Sequence, residues 1–193
     1  MAQLILGVIV FALAAAVIGL FAKLGDLASQ VREPTDDLPS PDTPPQPLPQ
    51  AKLGAEADQW PAELADLPRQ PLAHVVVFGV TCNSCHRIAS GATGSLDALT
   101  PRPAIVISCP TAQRGADFVA TYSMVASHPH AIDVGGEWLR GNFGVGTSPT
   151  ILVFEYGKLR SAHTFTTVPM LLNLPPTALE EAHPHAEAGV STS

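Results

Sequence analysis

HVVVFGVTCNSCHRIAS, residues His74 to Ser90, decides how this 193-residue chain folds. Val75 to Val80 is apolar and mostly β-branched, which predicts a strand buried on both faces. Thr81-Cys82-Asn83-Ser84-Cys85 follows as a short turn, and His86 to Ser90 reads as the start of a helix. A Cys-x-x-Cys pair in the first turn of a helix meets unpaired backbone N–H groups and the positive end of the helix dipole, both of which favour a thiolate. Cysteines at i and i+3 also lie close enough to be bridged without moving the backbone. The stretch predicts a redox-active dithiol at Cys82 and Cys85.

Downstream, strands and helices alternate. The Cys-x-x-Cys helix is expected to end near Leu99, ahead of Pro101 and Pro103. Ala104 to Cys109 is a second buried strand. Thr111 to Ala126 carries Phe118, Val119, Tyr122 and Val125 at helical spacing. Ala131 to Val134 is a short strand and Gly136 to Asn142 a short helix. Thr150 to Tyr156 and Leu159 to Thr166 form a hairpin about Gly157-Lys158. Val168 to Asn173 begins a last helix. This alternation implies a largely parallel sheet covered on both faces and closed by an antiparallel hairpin.

Upstream, Leu4 to Ala22 is an uncharged apolar run. As a helix it spans about 28 Å, enough to cross a bilayer core. It lacks both the polar face of a buried helix and the basic start of a signal peptide, so it predicts an uncleaved anchor. Lys23 and Arg32 follow it and lean toward a cytoplasmic C-terminal side. Glu33 to Gln50, with seven prolines in 18 residues, is expected to stay extended and unpacked as a spacer. Ala51 to Leu67 is a lead-in with mild helical character, anchored by Trp60. The divisions are residues 1–32, transmembrane anchor and juxtamembrane segment; 33–69, linker and lead-in; 70–174, folded domain; and 175–193, tail.

The net charge of −7, from 17 acidic and 10 basic side chains, comes with no basic stripe. That excludes nucleic acid as an expected partner. No second Cys-x-x-Cys or Cys/His pair has ligand spacing, so no metal site is expected. Cys109 reads as a small buried hydrophobe. His128-Pro129-His130 and His183-Pro184-His185 echo each other without further ligands.

The order strand, Cys-x-x-Cys helix, strand, helix and proline-led hairpin resembles the thioredoxin fold. Gly146-Thr147-Ser148-Pro149-Thr150 before an apolar strand is similar to that family's cis-proline signature. The separation of Cys85 from Pro149 is wider than in plain thioredoxins and fits an added helix and strand, about Thr111 to Val134. That insertion, the anchor, and the Phe143-Gly144-Val145, Ser148-Pro149-Thr150 and Gly157-Lys158 pieces resemble the membrane-tethered TlpA/ResA type. Lys23-Leu24-Gly25-Asp26-Leu27 after the anchor also resembles MauD-type proteins of methylamine utilisation. The fold class implied is α/β, a thioredoxin-like three-layer sandwich with a helix–strand insertion, preceded by one N-terminal transmembrane helix. Three positions depart from the plain thioredoxin pattern. Thr81 stands where Trp is usual, Val76 where an acid often serves the buried thiol, and Asn83-Ser84 replaces the Gly-Pro dipeptide.

The resemblance implies thiol–disulfide exchange. Cys82 attacks or is attacked, Cys85 resolves the mixed disulfide, and the backbone of Thr147, Ser148 and Pro149 holds an extended substrate segment. The redox-active disulfide would serve without a cofactor. Partners would be client protein thiols or disulfides, such as an apocytochrome c or a maturing dehydrogenase, and a membrane thiol carrier. The location implied is the cytoplasmic (inner) membrane, crossed once, with the domain facing the periplasm or exterior. Cys82-Asn83-Ser84-Cys85-His86 also matches the Cys-x-x-Cys-His haem attachment pattern, which would make a c-type electron carrier. A third reading is a redox-inactive assembly factor with the same fold. His86, four residues after Cys82, is a candidate proton relay or a plain surface residue.

Overall fold

The computed structural model describes residues 44–172 and residue 174. The expected anchor Leu4–Ala22, the spacer up to residue 43 and the tail from residue 175 lie outside the described residues. Among the described residues no helix is long and apolar enough to cross a membrane.

The core is a six-stranded sheet. Its strands are β1 (Gln46–Pro47), β2 (Ala73–Gly79), β3 (Ala104–Cys109), β4 (His130–Val134), β5 (Thr150–Glu155) and β6 (Lys158–Thr164), in the order β1-β6-β5-β2-β3-β4. β2 runs parallel to β3, and β3 parallel to β4; β5 is antiparallel to both β2 and β6. β2 is therefore central, which is why its Val75, Val76, Val77 and Phe78 are buried on both faces.

Strand alternation sorts the core into two layers. Val76, Phe78, Ile105, Ile107 and Ile151 face one side, covered by α1 (Asn83–Ala89), α2 (Ala112–Thr121), α3 (Ser123–Ser127) and α5 (Val168–Leu171). Val75, Val77, Val106, Leu152 and Phe154 face the other, covered by α4 (Glu137–Phe143) and the lead-in. Each large apolar side chain buried in these layers contributes about 1.5–3 kcal/mol.

Three expectations need correction. The Cys-x-x-Cys helix stops at Ala89, not near Leu99, because Gly91 turns the chain at φ 79°; Leu96–Ala98 forms only a 3-10 turn. The helix expected over 111–126 breaks at Tyr122, whose φ of −115° and ψ of 104° are extended. Most far-reaching, the end of the proline-rich segment packs. Gln46 and Pro47 pair with Thr164 and His163, and Leu48 is buried. Proline is tolerated there because β1 is an edge strand with one unpaired side. Among the described residues the folded body thus already includes Gln46, ahead of the expected start at Gln70. Trp60 anchors the lead-in as expected, with its ring 5.4 Å from Trp138 and 5.1 Å from Phe154. The hairpin turn sits at Tyr156-Gly157, φ 47° and 79°, the two positive values a tight β-turn needs.

Candidate functional site

The site forms where the central strand ends. β2 stops at Gly79, and the turn Val80–Thr81 delivers Cys82 to the N-cap position of α1. There the Cys82 sulfur accepts a hydrogen bond from the Cys85 backbone N–H at 3.2 Å. A sulfur in this position takes the capping role of a serine or aspartate oxygen, and a thiolate fills it best. Cys85, three residues on, points into the core with 0% exposure and receives the Gly79 N–H at 3.4 Å. Both are free thiols.

The pair is electrostatically unequal. A hydrogen bond from the Cys85 thiol, helped by its backbone N–H and by Ser148, pulls Cys82 down to about 6 against the opposing effect of partial burial. Cys85 moves the other way, raised far above the ordinary thiol range by its contact with Cys82 and then by burial. At neutral pH the outer sulfur is a thiolate and the inner one a thiol.

The loop before β5 closes the site. Ser148-Pro149 is a cis peptide bond, Pro149 is buried, and Thr147 is exposed. The Cys82 sulfur lies 3.5 Å from the Ser148 carbonyl oxygen, and the Thr150 hydroxyl donates to the Thr147 carbonyl at 2.8 Å. The structure therefore brings Cys82, Cys85 and the Thr147–Pro149 loop together. This close approach depends on Gly79. A Cβ there would stand 2.5 Å from the Ser148 hydroxyl and 3.6 Å from Cys82 Cβ. Gly79 belongs to the site and is not among the residues the sequence points to; its one signal is a glycine inside an apolar strand pattern.

His86 is placed differently from a relay. Its Nε2 lies 2.9 Å from the Val80 carbonyl oxygen and its Nδ1 2.7 Å from the Tyr122 hydroxyl. Tyr122 is the other residue that sequence reasoning missed, since nothing local links it to a position 36 residues away. The haem pattern does not fit these residues. Cys85 is fully buried, and both nitrogens of His86 are engaged within the protein. Cys109 is buried at the end of β3, as expected. His128 and His130 bond backbone carbonyls through Nδ1, and among the described residues no His, Cys, Asp and Glu cluster suits a metal ion.

The sheet order, the Cys-x-x-Cys helix after the central strand and the cis-proline loop against it make this a thioredoxin-like α/β fold. No family model matches the chain, and no curated protein matches it. Solved structures overlap it loosely. The dsbF of MTB is 18% identical with a TM-score of 0.44, over 59% of this chain and 94% of that one. A secreted Mycobacterium tuberculosis disulfide oxidoreductase is 21% identical with a TM-score of 0.36, over 50% and 72%. A thiol-disulfide isomerase from Corynebacterium glutamicum is 14% identical with a TM-score of 0.39, over 66% and 92%. Overlaps this loose carry no residue roles across, so the roles of Cys82 and Cys85 follow from their own geometry.

Proposed function

We propose that this chain is a membrane-tethered thiol–disulfide oxidoreductase that exchanges disulfides with an extracytoplasmic client protein through Cys82 and Cys85. The observation that carries the reading is the unequal placement of the two sulfurs, one accepting the Cys85 N–H at the helix end and the other fully buried one turn inside. A nucleophile that is ionised at working pH and a protected resolving thiol are what the two halves of exchange require.

In the reducing direction, the Cys82 thiolate attacks one sulfur of a client disulfide. A Cys82–client S–S bond forms, the client S–S bond breaks, and the second client sulfur leaves as a thiolate. Cys85 then gives up its proton and attacks the Cys82 sulfur. The Cys82–Cys85 disulfide forms, and the first client sulfur departs. Two electrons and the one proton of the Cys85 thiol have passed to the client, whose other thiolate takes its proton from solvent. The position where related proteins often carry an acid is the buried Val76, so the Cys85 proton passes to the departing client thiolate. A membrane dithiol carrier restores the reduced pair by the same steps in reverse.

The site suits a macromolecular client. The exposed Thr147 and half-buried Ser148 offer backbone for an extended segment to pair with. A thiol at Cys82 donates to the Ser148 carbonyl, whereas the thiolate releases that oxygen for a client N–H. A groove of about 740 Å³ lies elsewhere, between the end of α1 and α3, and its lining includes neither sulfur. The tether rests on the uncharged run Leu4–Ala22. The placement outside the cytoplasm, and a maturing cytochrome c or dehydrogenase as client, rest on the resemblance to TlpA, ResA and MauD types.

Trapping tests the reading. A Cys85→Ser chain lacks the resolving thiol and is expected to accumulate a mixed disulfide with its client through Cys82. If Cys85→Ser traps nothing and the wild type shows no two-electron dithiol titration, the chain is no oxidoreductase and the redox-inactive assembly role takes its place.

A further inference from the structure

We propose that His86 and Tyr122 are positioning residues of the dithiol, together holding the Val80 carbonyl and thereby the turn that presents the Cys82 sulfur. Their purpose rests on the exchange reading above; their evidence is the geometry of the turn.

β2 ends at Gly79, and the next peptide leaves the sheet. The Val80 N–H still reaches the Ser108 carbonyl at 3.2 Å, but the Val80 carbonyl has no strand to accept from. The carbonyl of this mostly buried residue finds its donor in His86 Nε2 at 2.9 Å. His86 is also fixed at the backbone, where its N–H donates to the Cys82 carbonyl at 3.1 Å. Cys82 is thus bracketed. One side chain grips the residue two before it, from a helix that starts directly after it.

The imidazole is itself oriented. A carbonyl only accepts, so Nε2 carries the hydrogen and Nδ1 is left to accept from the Tyr122 hydroxyl at 2.7 Å. Tyr122 reaches it from the break between α2 and α3, the one point where the expected continuous helix is interrupted. Its ring packs 4.8 Å from Phe118, and Phe118 lies 5.2 Å from the imidazole, so the three rings fix one another. The inserted helices are thereby tied to the turn carrying the nucleophile. Neither ring nitrogen hydrogen-bonds a sulfur, which separates this role from proton relay.

The 3.2 Å contact between the Cys82 sulfur and the Cys85 N–H holds only while the turn is pinned. The test follows alkylation of Cys82 against pH in the full chain, read by mass on the Cys82 peptide. His86→Leu leaves the Val80 carbonyl without its donor. Its alkylation midpoint is expected to rise by about one unit, slowing the reaction about tenfold at pH 5. Tyr122→Phe shifts the midpoint the same way by less, and adds nothing on the His86→Leu background. His86→Gln carries an amide N–H to the same carbonyl and is expected to recover most of the shift. A wild-type midpoint in a folded His86→Leu chain, or equal shifts in His86→Gln and His86→Leu, overturns the role. Should His86→Leu fail to fold, Tyr122→Phe decides alone, since it removes only a hydroxyl, and an unshifted midpoint there also overturns it. Absence of exchange with every client would defeat the functional reading, yet the Cys82 profile would still decide this one.

Discussion

The Cys82 sulfur stands 3.5 Å from the Ser148 carbonyl oxygen, across a separation of 66 residues. That distance joins the helix end that carries the outer sulfur to the cis-proline loop. Under the proposed exchange function, a client segment paired with this loop would present its own sulfur to Cys82 and not to the buried Cys85.

The first consequence is chemical selectivity between two thiols one turn apart. With Cys82 pulled down to about 6, its thiolate fraction, and so its reaction with iodoacetamide, rises through a midpoint near pH 6 and is flat by pH 8. Cys85 is raised and buried, and is expected to stay unmodified in the folded protein over the same range. Mass analysis of the two cysteines after timed alkylation checks both halves. Equal modification of the pair at pH 7 would contradict them.

The same inequality sets how the reduction potential depends on pH. Below about pH 6 both sulfurs of the reduced form carry protons, so two protons accompany two electrons and the potential falls by about 59 mV per pH unit. Above pH 6 only Cys85 takes a proton, and the slope is expected to halve to about 30 mV per unit. Equilibration against glutathione between pH 5 and 8 measures it. A single slope of about 59 mV throughout would mean that Cys82 stays a thiol.

The close packing of β2 against the cis-proline loop makes a paired prediction. In Gly79→Ala the new methyl would meet the Ser148 hydroxyl at 2.5 Å, so that hydroxyl must swing away and disturb the loop beside Cys82. Exchange with a disulfide-bonded peptide is expected to fall roughly fivefold, equivalent to about 1 kcal/mol. Ser148→Ala removes the obstructing oxygen. The double variant Gly79→Ala, Ser148→Ala should therefore recover most of the loss, giving coupling on the order of 1 kcal/mol between the two positions. Additive losses in the double variant would rule out this contact as the cause.

Much of this was legible in residue order, for physical reasons that also mark where legibility ends. Val75–Phe78 and Ala104–Ile107 are unbroken β-branched or apolar runs, as strands buried on both faces of a sheet require. Cys82, Cys85 and the Thr147–Pro149 loop could be named because local motifs announce them. Helix ends fared worse. The stop at Ala89 is set by the left-handed Gly91, and a glycine in a helical pattern signals a cost without fixing a boundary. The break at Tyr122 is tertiary, coinciding with a hydroxyl that bonds His86 from another element. Pro44–Gln50 was misjudged because proline density reads as solvated extended chain, while an edge strand of two residues asks for very little pattern.

The lead-in caps α4 and holds it to the sheet through several contacts. The Lys52 N–H donates to the Phe143 carbonyl at 2.9 Å and the Lys52 ammonium to the Gly141 carbonyl at 2.7 Å, so two carbonyls at the end of α4 find partners. The Trp138 indole N–H donates to the Gln59 carbonyl at 2.8 Å, and Leu48, Leu64 and Leu67 are buried under the sheet. Gly144, at φ 71°, has no room for a side chain, because a Cβ would stand 2.5 Å from the Gln50 carbonyl oxygen. A chain shortened to begin at Gln70 would uncover this face of the core, whereas one beginning at Pro44 keeps it covered. The shorter chain is expected to show no cooperative melt, and the longer one a two-state transition. Trp60→Ala in the longer chain should cost about 2–4 kcal/mol, below the full core value because the ring is only half-buried. Gly144→Ala should cost at least as much, since backbone strain at positive φ adds to the collision with Gln50. Urea titration of the four chains checks the set, and a cooperative transition in the chain starting at Gln70 would return the lead-in to the status of a linker.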